Sequence, residues 1–296
     1  MIHKKNLKNG IIDTVLGIFL SAIAIIMLYP MLYEVFVSFS EPDKLVKARG
    51  ILTHSLGFTM DAYKIVFGIK DITTGYMNTL FIMVFGLAVN LLMTSLGAYF
   101  ISRKATKVKL LKPIMVMILF TMYFSGGLVP TWLTVKALGL YNTRWALIIP
   151  NALSTYNMIL LCSYFKSIPD SLEESVCMDG GNHFTVLFRI ILPLSKPAMA
   201  VMFLYYGVGH WNSWFNAMIY LRSKELYPLQ LVLRNILVEG SALNTNSVSV
   251  SAMNYEEMEM SVKAAMVVVS TLPFLLIYPF LQKYFQGGLM VGSLKE

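Results

Sequence analysis

Six stretches of this chain contain no Asp, Glu, Lys or Arg and are long enough to cross a bilayer: 14–33, 72–102, 113–135, 145–165, 197–221 and 264–282. A hydrocarbon core roughly 30 Å thick is crossed by about 20 mostly apolar helical residues. Inside it every backbone N–H and C=O must be bonded within the segment, so each stretch predicts a helix. The 296 residues are 56% hydrophobic and 14% charged, more apolar surface than a soluble fold of this length can hide. The expected fold class is therefore an all-α membrane protein. It forms a single transmembrane domain, 1–296, with helices over about 14–36, 74–102, 113–135, 145–166, 197–221 and 264–284. No internal repeat, low-complexity tract or soluble domain is visible.

Direction follows from the basic residues of short loops. The segment 103–112 carries Arg103, Lys104, Lys107, Lys109 and Lys112 with no acid, which places it in the cytoplasm. An even number of spans then puts both termini inside. The two cysteines, Cys162 and Cys177, fall at or beyond the inner end of a span, in a reducing compartment and without a disulfide framework. No small-residue cleavage site follows the first apolar run, so it is read as retained. The formal charge of +8 sits between apolar runs rather than interleaved with aromatics on one face, which argues against a nucleic-acid partner.

The cytoplasmic segment 168–193, between the fourth and fifth spans, is more organised than a connector. Ser171 and Glu174 have capping-box spacing, and Glu173 with Glu174 places negative charge in the first turn of a helix, where its dipole favours it. Gly180 and Gly181 suit the positive φ that ends a helix. Asn182 suits the N-cap of a second helix, along which Phe184, Leu187, Phe188 and Ile191 share one face before Pro193. The pattern predicts a helix, a glycine corner and an apolar-faced helix: a rigid elbow. On pattern alone, a hairpin lying in the membrane interface is the competing account.

Glu174, then Asp179-Gly180, then Ile-Ile-Leu-Pro ending at Pro193, followed by Pro197, resemble the signature of binding-protein-dependent ABC importer permeases: Glu-Ala-Ala, Asp-Gly, Leu-Pro. The two alanines of that signature are Ser175 and Val176 here. Phe124-Ser-Gly-Gly-Leu-Val-Pro-Thr, Gly139-Leu-Tyr-Asn-Thr-Arg-Trp-Ala-Leu, Gly209-His-Trp-Asn-Ser-Trp-Phe-Asn-Ala and Tyr227-Pro-Leu-Gln-Leu-Val-Leu-Arg resemble the maltose-type carbohydrate permeases. Within them the likeness is to the subgroup for oligosaccharides, aldouronate-containing ones included, and Gly287-Gly-Leu-Met-Val-Gly-Ser-Leu-Lys also fits it. The resemblance implies that the elbow docks into a partner ATPase. It makes Glu173, Glu174, Asp179, Gly180 and Gly181 the coupling positions, with Glu174 and Gly180 the contacts. The implied partners are a second homologous permease, an ATPase dimer and an extracellular solute-binding protein, in a bacterial plasma membrane.

The sequence has no Gly-x-x-x-x-Gly-Lys-Ser/Thr segment, so no P-loop cradles ATP in this chain. ATP and Mg are expected on the partner ATPase, with no cofactor here. The histidines at 3, 54, 183 and 210 show no metal-ligand spacing and no nucleophile motif appears, so the chain reads as a permease rather than an enzyme. Polar groups within spans are expensive and mark pathways or helix contacts. The pathway candidates are Asn151, Tyr156, Asn157, Tyr206, His210, Trp211, Asn212 and Trp214. Tyr206, His210 and Trp214 are spaced i, i+4, i+8 and share a face of an unbroken helix. Aromatic faces suit sugar C–H surfaces and amides bond hydroxyls; an aromatic belt with ordinary packing is the rival account.

A secondary transporter couples ions through intramembrane acids, and the six runs contain none. A membrane hydrolase or a channel are further alternatives, as is a permease for a non-sugar solute. The expected function is the transmembrane subunit of an ATP-driven importer of oligosaccharides.

Overall fold

A computed structural model of the chain describes residues 7–47, 50–102, 111–239 and 252–288. The basic segment 103–110, the ends of the chain, and part of the segment expected outside the membrane before the last span lie outside them. Among the described residues the structure is helical, without strands: α1 (Leu7–Ser38), α2 (Pro42–Lys47), α3 (Asp61–Gly68), α4 (Lys70–Ser102), α5 (Leu111–Tyr123), α6 (Leu128–Ala137), α7 (Trp145–Ile148), α8 (Thr155–Lys166), α9 (Asp170–Met178), α10 (His183–Thr185), α11 (Leu192–Leu194), α12 (Lys196–Trp211), α13 (Trp214–Tyr220), α14 (Leu229–Glu239) and α15 (Ala252–Gly288). A π-helical stretch, Val186–Ile191, joins α10 to α11, and a 3₁₀ turn, Lys224–Leu226, precedes α14.

The chain divides into two compact units, one ending at Lys70 and including α15 up to Leu272, the other beginning at Asp71 and including α15 from Pro273. In the first, α1 is apolar on all sides and its most apolar window is unburied within the chain, as expected of a helix in contact with lipid or another chain. Val37, Leu45, Leu52 and Ala264 form its small core. Ser40 fixes the loop after α1: its hydroxyl donates to the Phe36 carbonyl at 2.6 Å and accepts from Leu56 N–H at 2.9 Å.

In the second unit α4 is the central post. It stays unbroken for 33 residues, yet buries Asn78, Thr79, Asn90, Thr94 and Ser95. Each of these five polar side chains makes a hydrogen bond, as burial in an apolar medium demands. One core packs Leu87, Ala98, Met158, Leu161, Phe165, Leu187, Ile191 and Met202 together. A second packs Ile82, Ala146, Leu147, Ala217 and Leu231.

Ile12–Ser38, Lys70–Ser102 and Met258–Ile277 are helices long and apolar enough to cross a membrane, and two helix pairs, bent by 113° and 85°, reach that length only together. The third, fourth and fifth sequence-predicted helices are not continuous. The one over 113–135 breaks between α5 and α6, where Gly127 has φ +86° and glycine alone is unstrained. The one over 145–166 splits around 149–154: Pro150 denies a backbone donor, and Ser154 restarts α8 as N-cap, accepting from Asn157 N–H at 3.4 Å. The one over 197–221 begins a residue earlier, at Lys196, and breaks at Asn212–Ser213, where Trp214 N–H bonds the Asn212 carbonyl at 2.9 Å instead of continuing the ladder.

The segment on the far side of that break is held by backbone-like side chains. Asn142 takes φ +58°, a conformation its short amide tolerates. Its Oδ1 accepts from Arg222 and Ser223 N–H at 2.9 and 3.0 Å, and its amide donates to Ser223 Oγ at 3.0 Å. The Asn78 amide donates to the Glu225 and Tyr227 carbonyls at 2.7 and 3.0 Å. Asn142 and Asn78 thus clasp the 222–227 loop from two sides.

Candidate functional site

The elbow forms with the expected corner. α9 ends in a Schellman motif: Gly181 N–H bonds the Val176 carbonyl at 2.8 Å, Gly180 N–H bonds Cys177 O at 3.1 Å, and Gly180 sits at φ +80°. Gly181 is required for space rather than for φ, since a Cβ there would lie 2.5 Å from Val176 Cγ1 and 2.9 Å from its carbonyl. Asn182 caps the second helix, Oδ1 accepting from Thr185 N–H at 2.9 Å.

Two local expectations change. α9 starts at Asp170 after Pro169, so Ser171 lies inside its first turn and forms no capping box; Asp170 and Glu173 are the first-turn acids. The shared face of Phe184, Leu187, Phe188 and Ile191 is divided. The π-helical turn widens the helix, so that Val186, Leu187 and Ile191 are buried while Phe184 and Phe188 are exposed.

The adjacent glutamates point opposite ways. Glu173 is 2% exposed, with Oε1 at 3.7 Å from Nδ1 of His183, and Tyr99 Oη lies 3.2 Å from the same nitrogen. The elbow is tied through this trio to the end of α4. Glu174, Asp179 and Gly180 are exposed, beside Met178 and Phe184, which are 88% and 66% exposed. A mixed acidic and apolar surface on a rigid corner is suited to protein contact.

Toward the other end of α12, a cavity of about 290 Å³ lies between the 150–157 segment, α12 and the start of α13. Of the pathway candidates, Asn151, Asn157, Tyr206 and His210 line it, whereas Tyr156, Trp211, Asn212 and Trp214 do not. Trp211 is buried, its ring 6.3 Å from those of Tyr76 and Phe274. Trp214 loses its expected register with Tyr206 and His210 because the helix breaks before it, and its ring lies 5.3 Å under the Arg234 guanidinium. Pro150, Leu153, Ser154, Tyr205, Gly209, Ser213 and Asn216 complete the lining.

The wall is held by residues of α4. The Asn90 amide donates to the Asn151 carbonyl at 2.6 Å, so its Oδ1 accepts, and His210 Nε2, 2.6 Å away, carries the ring proton. Tyr206 Oη accepts from Ser154 N–H at 3.1 Å and meets Thr94 Oγ1 at 2.6 Å. Gly86 leaves room for the imidazole, since a Cβ there would lie 2.5 Å from Nε2. Gly86, Asn90 and Thr94 recur every fourth residue in an apolar run. That was the signal for them, though their partners on α12 lie more than 100 residues away.

Among the described residues no cluster of three or more His, Cys, Asp or Glu is arranged to hold a metal ion. Neither cysteine is in a disulfide; Cys162 is buried and Cys177 exposed.

Long apolar helices, broken helices with polar side chains at their breaks, and a rigid elbow define an integral-membrane permease. Related proteins make the class specific. Over 98% of its length the chain is 38% identical to the polygalacturonan/rhamnogalacturonan transport system permease YtcP of Bacillus subtilis, covering all of that protein. It is 39% identical to Protein LplC of the same organism, over 98% of this chain and 97% of the relative. A crystal structure of a bacterial ABC transporter involved in import of the acidic polysaccharide alginate contains a chain that superimposes with a TM-score of 0.85. Identity to it is 31%, covering 95% of this chain and 98% of that one. No protein-family model matches the sequence. The chain belongs to the permease subunits of ABC transporters of the carbohydrate-uptake type.

Proposed function

We propose that this chain forms one side of a translocation path for oligosaccharides, uronate-containing ones included, in an importer driven by ATP hydrolysis on partner subunits. A second, homologous permease supplies the other side, a solute-binding protein delivers the cargo from outside, and ATP with Mg resides on the ATPase pair. The chain crosses the membrane six times with both termini in the cytoplasm; the broken middle helices are three of the crossings, as in transporters whose irregular backbone borders a cavity.

The observation that carries the reading is the opposite orientation of Glu173 and Glu174 on one elbow. One carboxylate belongs to the subunit's own packing; the other, with Met178, Phe184 and the Gly180 corner, faces outward as a contact surface for the ATPase. Glu173, Asp179 and Gly181 shape that surface. Asn151, Asn157, Tyr206 and His210 shape the pathway wall. The names of the relatives support an acidic polysaccharide fragment as cargo. Copurification of the tagged chain tests the assembly: an ATP-binding subunit and a second permease are expected, and recovery of the chain alone from intact membranes contradicts it.

A further inference from the structure

Tyr206 and His210 are both committed to the body of the subunit, through Thr94, Ser154 and Asn90. Asn151 and Ser154 are engaged too, with the Leu147 carbonyl and Asn157 N–H, which leaves four polar side chains of the lining: Asn157, Tyr205, Ser213 and Asn216. Among the described residues these four side chains make no hydrogen bond. No carboxylate, ammonium or guanidinium group lines the cavity among the described residues. Two amides offer paired donors and acceptors, two hydroxyls offer one of each, and the Tyr205 ring, half exposed, offers a flat face for C–H groups.

We propose that this cavity is a subsite that takes one pyranose ring of the solute through its hydroxyls and its C–H face, and does not read the ring's carboxylate. The inference rests on the oligosaccharide reading above and narrows it. With hydrogen-bonding capacity in both senses and no counter-charge, a uronate and its neutral counterpart are accepted alike here, so that selection for acidic cargo falls to other components. A site of about 290 Å³ is near the lower end of small-molecule pockets, roughly 300 Å³ and above, the scale of one ring rather than a chain.

The test is uptake into proteoliposomes containing the complete importer with its binding protein, using trigalacturonate and neutral galactotriose as probes. Assembly and basal ATPase rate serve as controls. Asn216→Ala and Tyr205→Ala are expected to reduce kcat/KM for both probes by the same factor, about threefold to tenfold for the loss of one or two hydrogen bonds. Tyr205→Phe, which keeps the ring, is expected to lose less than Tyr205→Ala. Asn216→Asp introduces like charge and is expected to reduce trigalacturonate uptake roughly tenfold relative to galactotriose. Unchanged kinetics for Asn216→Ala and Tyr205→Ala in an assembled, transporting complex overturn the subsite. Alanine variants that depress only the acidic probe overturn its neutrality. A wild-type complex that carries neither probe overturns the oligosaccharide reading itself, and the subsite with it.

Discussion

Asn90 and His210, 120 residues apart, meet at 2.6 Å in a buried bond in which the imidazole Nε2 donates to the amide oxygen, while the same amide donates to the backbone of Asn151. One side chain of α4 thus fixes two segments that border the cavity. Removing either partner leaves a polar group buried without its bond, at about 1–3 kcal/mol. Asn90→Ala and His210→Ala should each lower the thermal midpoint of the detergent-solubilised chain. The double variant should lose less than the sum, because the bond is lost only once. Strict additivity of the two losses would show that they do not act through this contact.

Gly86 gives a second reading of the same junction. A methyl group at this position would lie 2.5 to 2.9 Å from three ring atoms of His210, so Gly86→Ala should displace the imidazole and destabilise by about 1–3 kcal/mol. In a His210→Ala background the added methyl has space, and the same substitution should be nearly neutral. A thermal-shift comparison of the four proteins checks this, and an equal Gly86→Ala penalty in both backgrounds would place the strain elsewhere.

On the elbow, the two glycines should fail differently. Gly180→Ala forces a side chain into φ +80° at about 1 kcal/mol, while Gly181→Ala meets the Val176 carbonyl and should open the corner. Hydrogen exchange over 170–194 should rise more for Gly181→Ala. Equal exchange in the two variants would contradict the division of roles.

Glu173 and Glu174 should separate folding from coupling. Glu173→Ala removes a carboxylate that is 3.7 Å from His183 and nearly fully buried, so it should loosen the tie to Tyr99 and raise proteolysis of the elbow. Glu174→Ala, at an exposed position, should leave proteolysis unchanged. The reverse pattern would invert the assignment.

Asn142 combines a left-handed backbone with three side-chain bonds to 222–223. Asn142→Gly keeps the backbone and loses the bonds, and Asn142→Ala loses both. Both should destabilise the loop clasp, alanine more by about 1 kcal/mol. Thermal midpoints that rank glycine below alanine would contradict this.

What the sequence revealed followed from local chemistry. Absence of charge marked the apolar stretches, and Gly180 and Asn182 specified their corner and cap from backbone needs alone. Helix continuity did not follow, because transfer of residues into hydrocarbon says nothing about whether one helix or two carries them. Gly127, Pro150 and Ser154 were the local signs of the breaks. The break at Asn212–Ser213 moved Trp214 off the face of Tyr206 and His210, which a four-residue count alone could not register. Nor did the acidic pair disclose which carboxylate turns inward: that depends on packing against Tyr99 and His183, far away in sequence. Segment 103–110, on which the sequence-based direction rests, lies outside the described residues.

The central claim, that this subunit converts ATPase motion into passage of an oligosaccharide through an elbow contacted at Glu174 and Gly180, is tested most directly by ATP-dependent accumulation of labelled trigalacturonate in proteoliposomes bearing the complete importer. The account predicts accumulation by the wild type, and near-complete loss when Glu174→Ala and Gly180→Ala are combined, with the subunit still inserted in the membrane. Undiminished accumulation by that inserted double variant would contradict it.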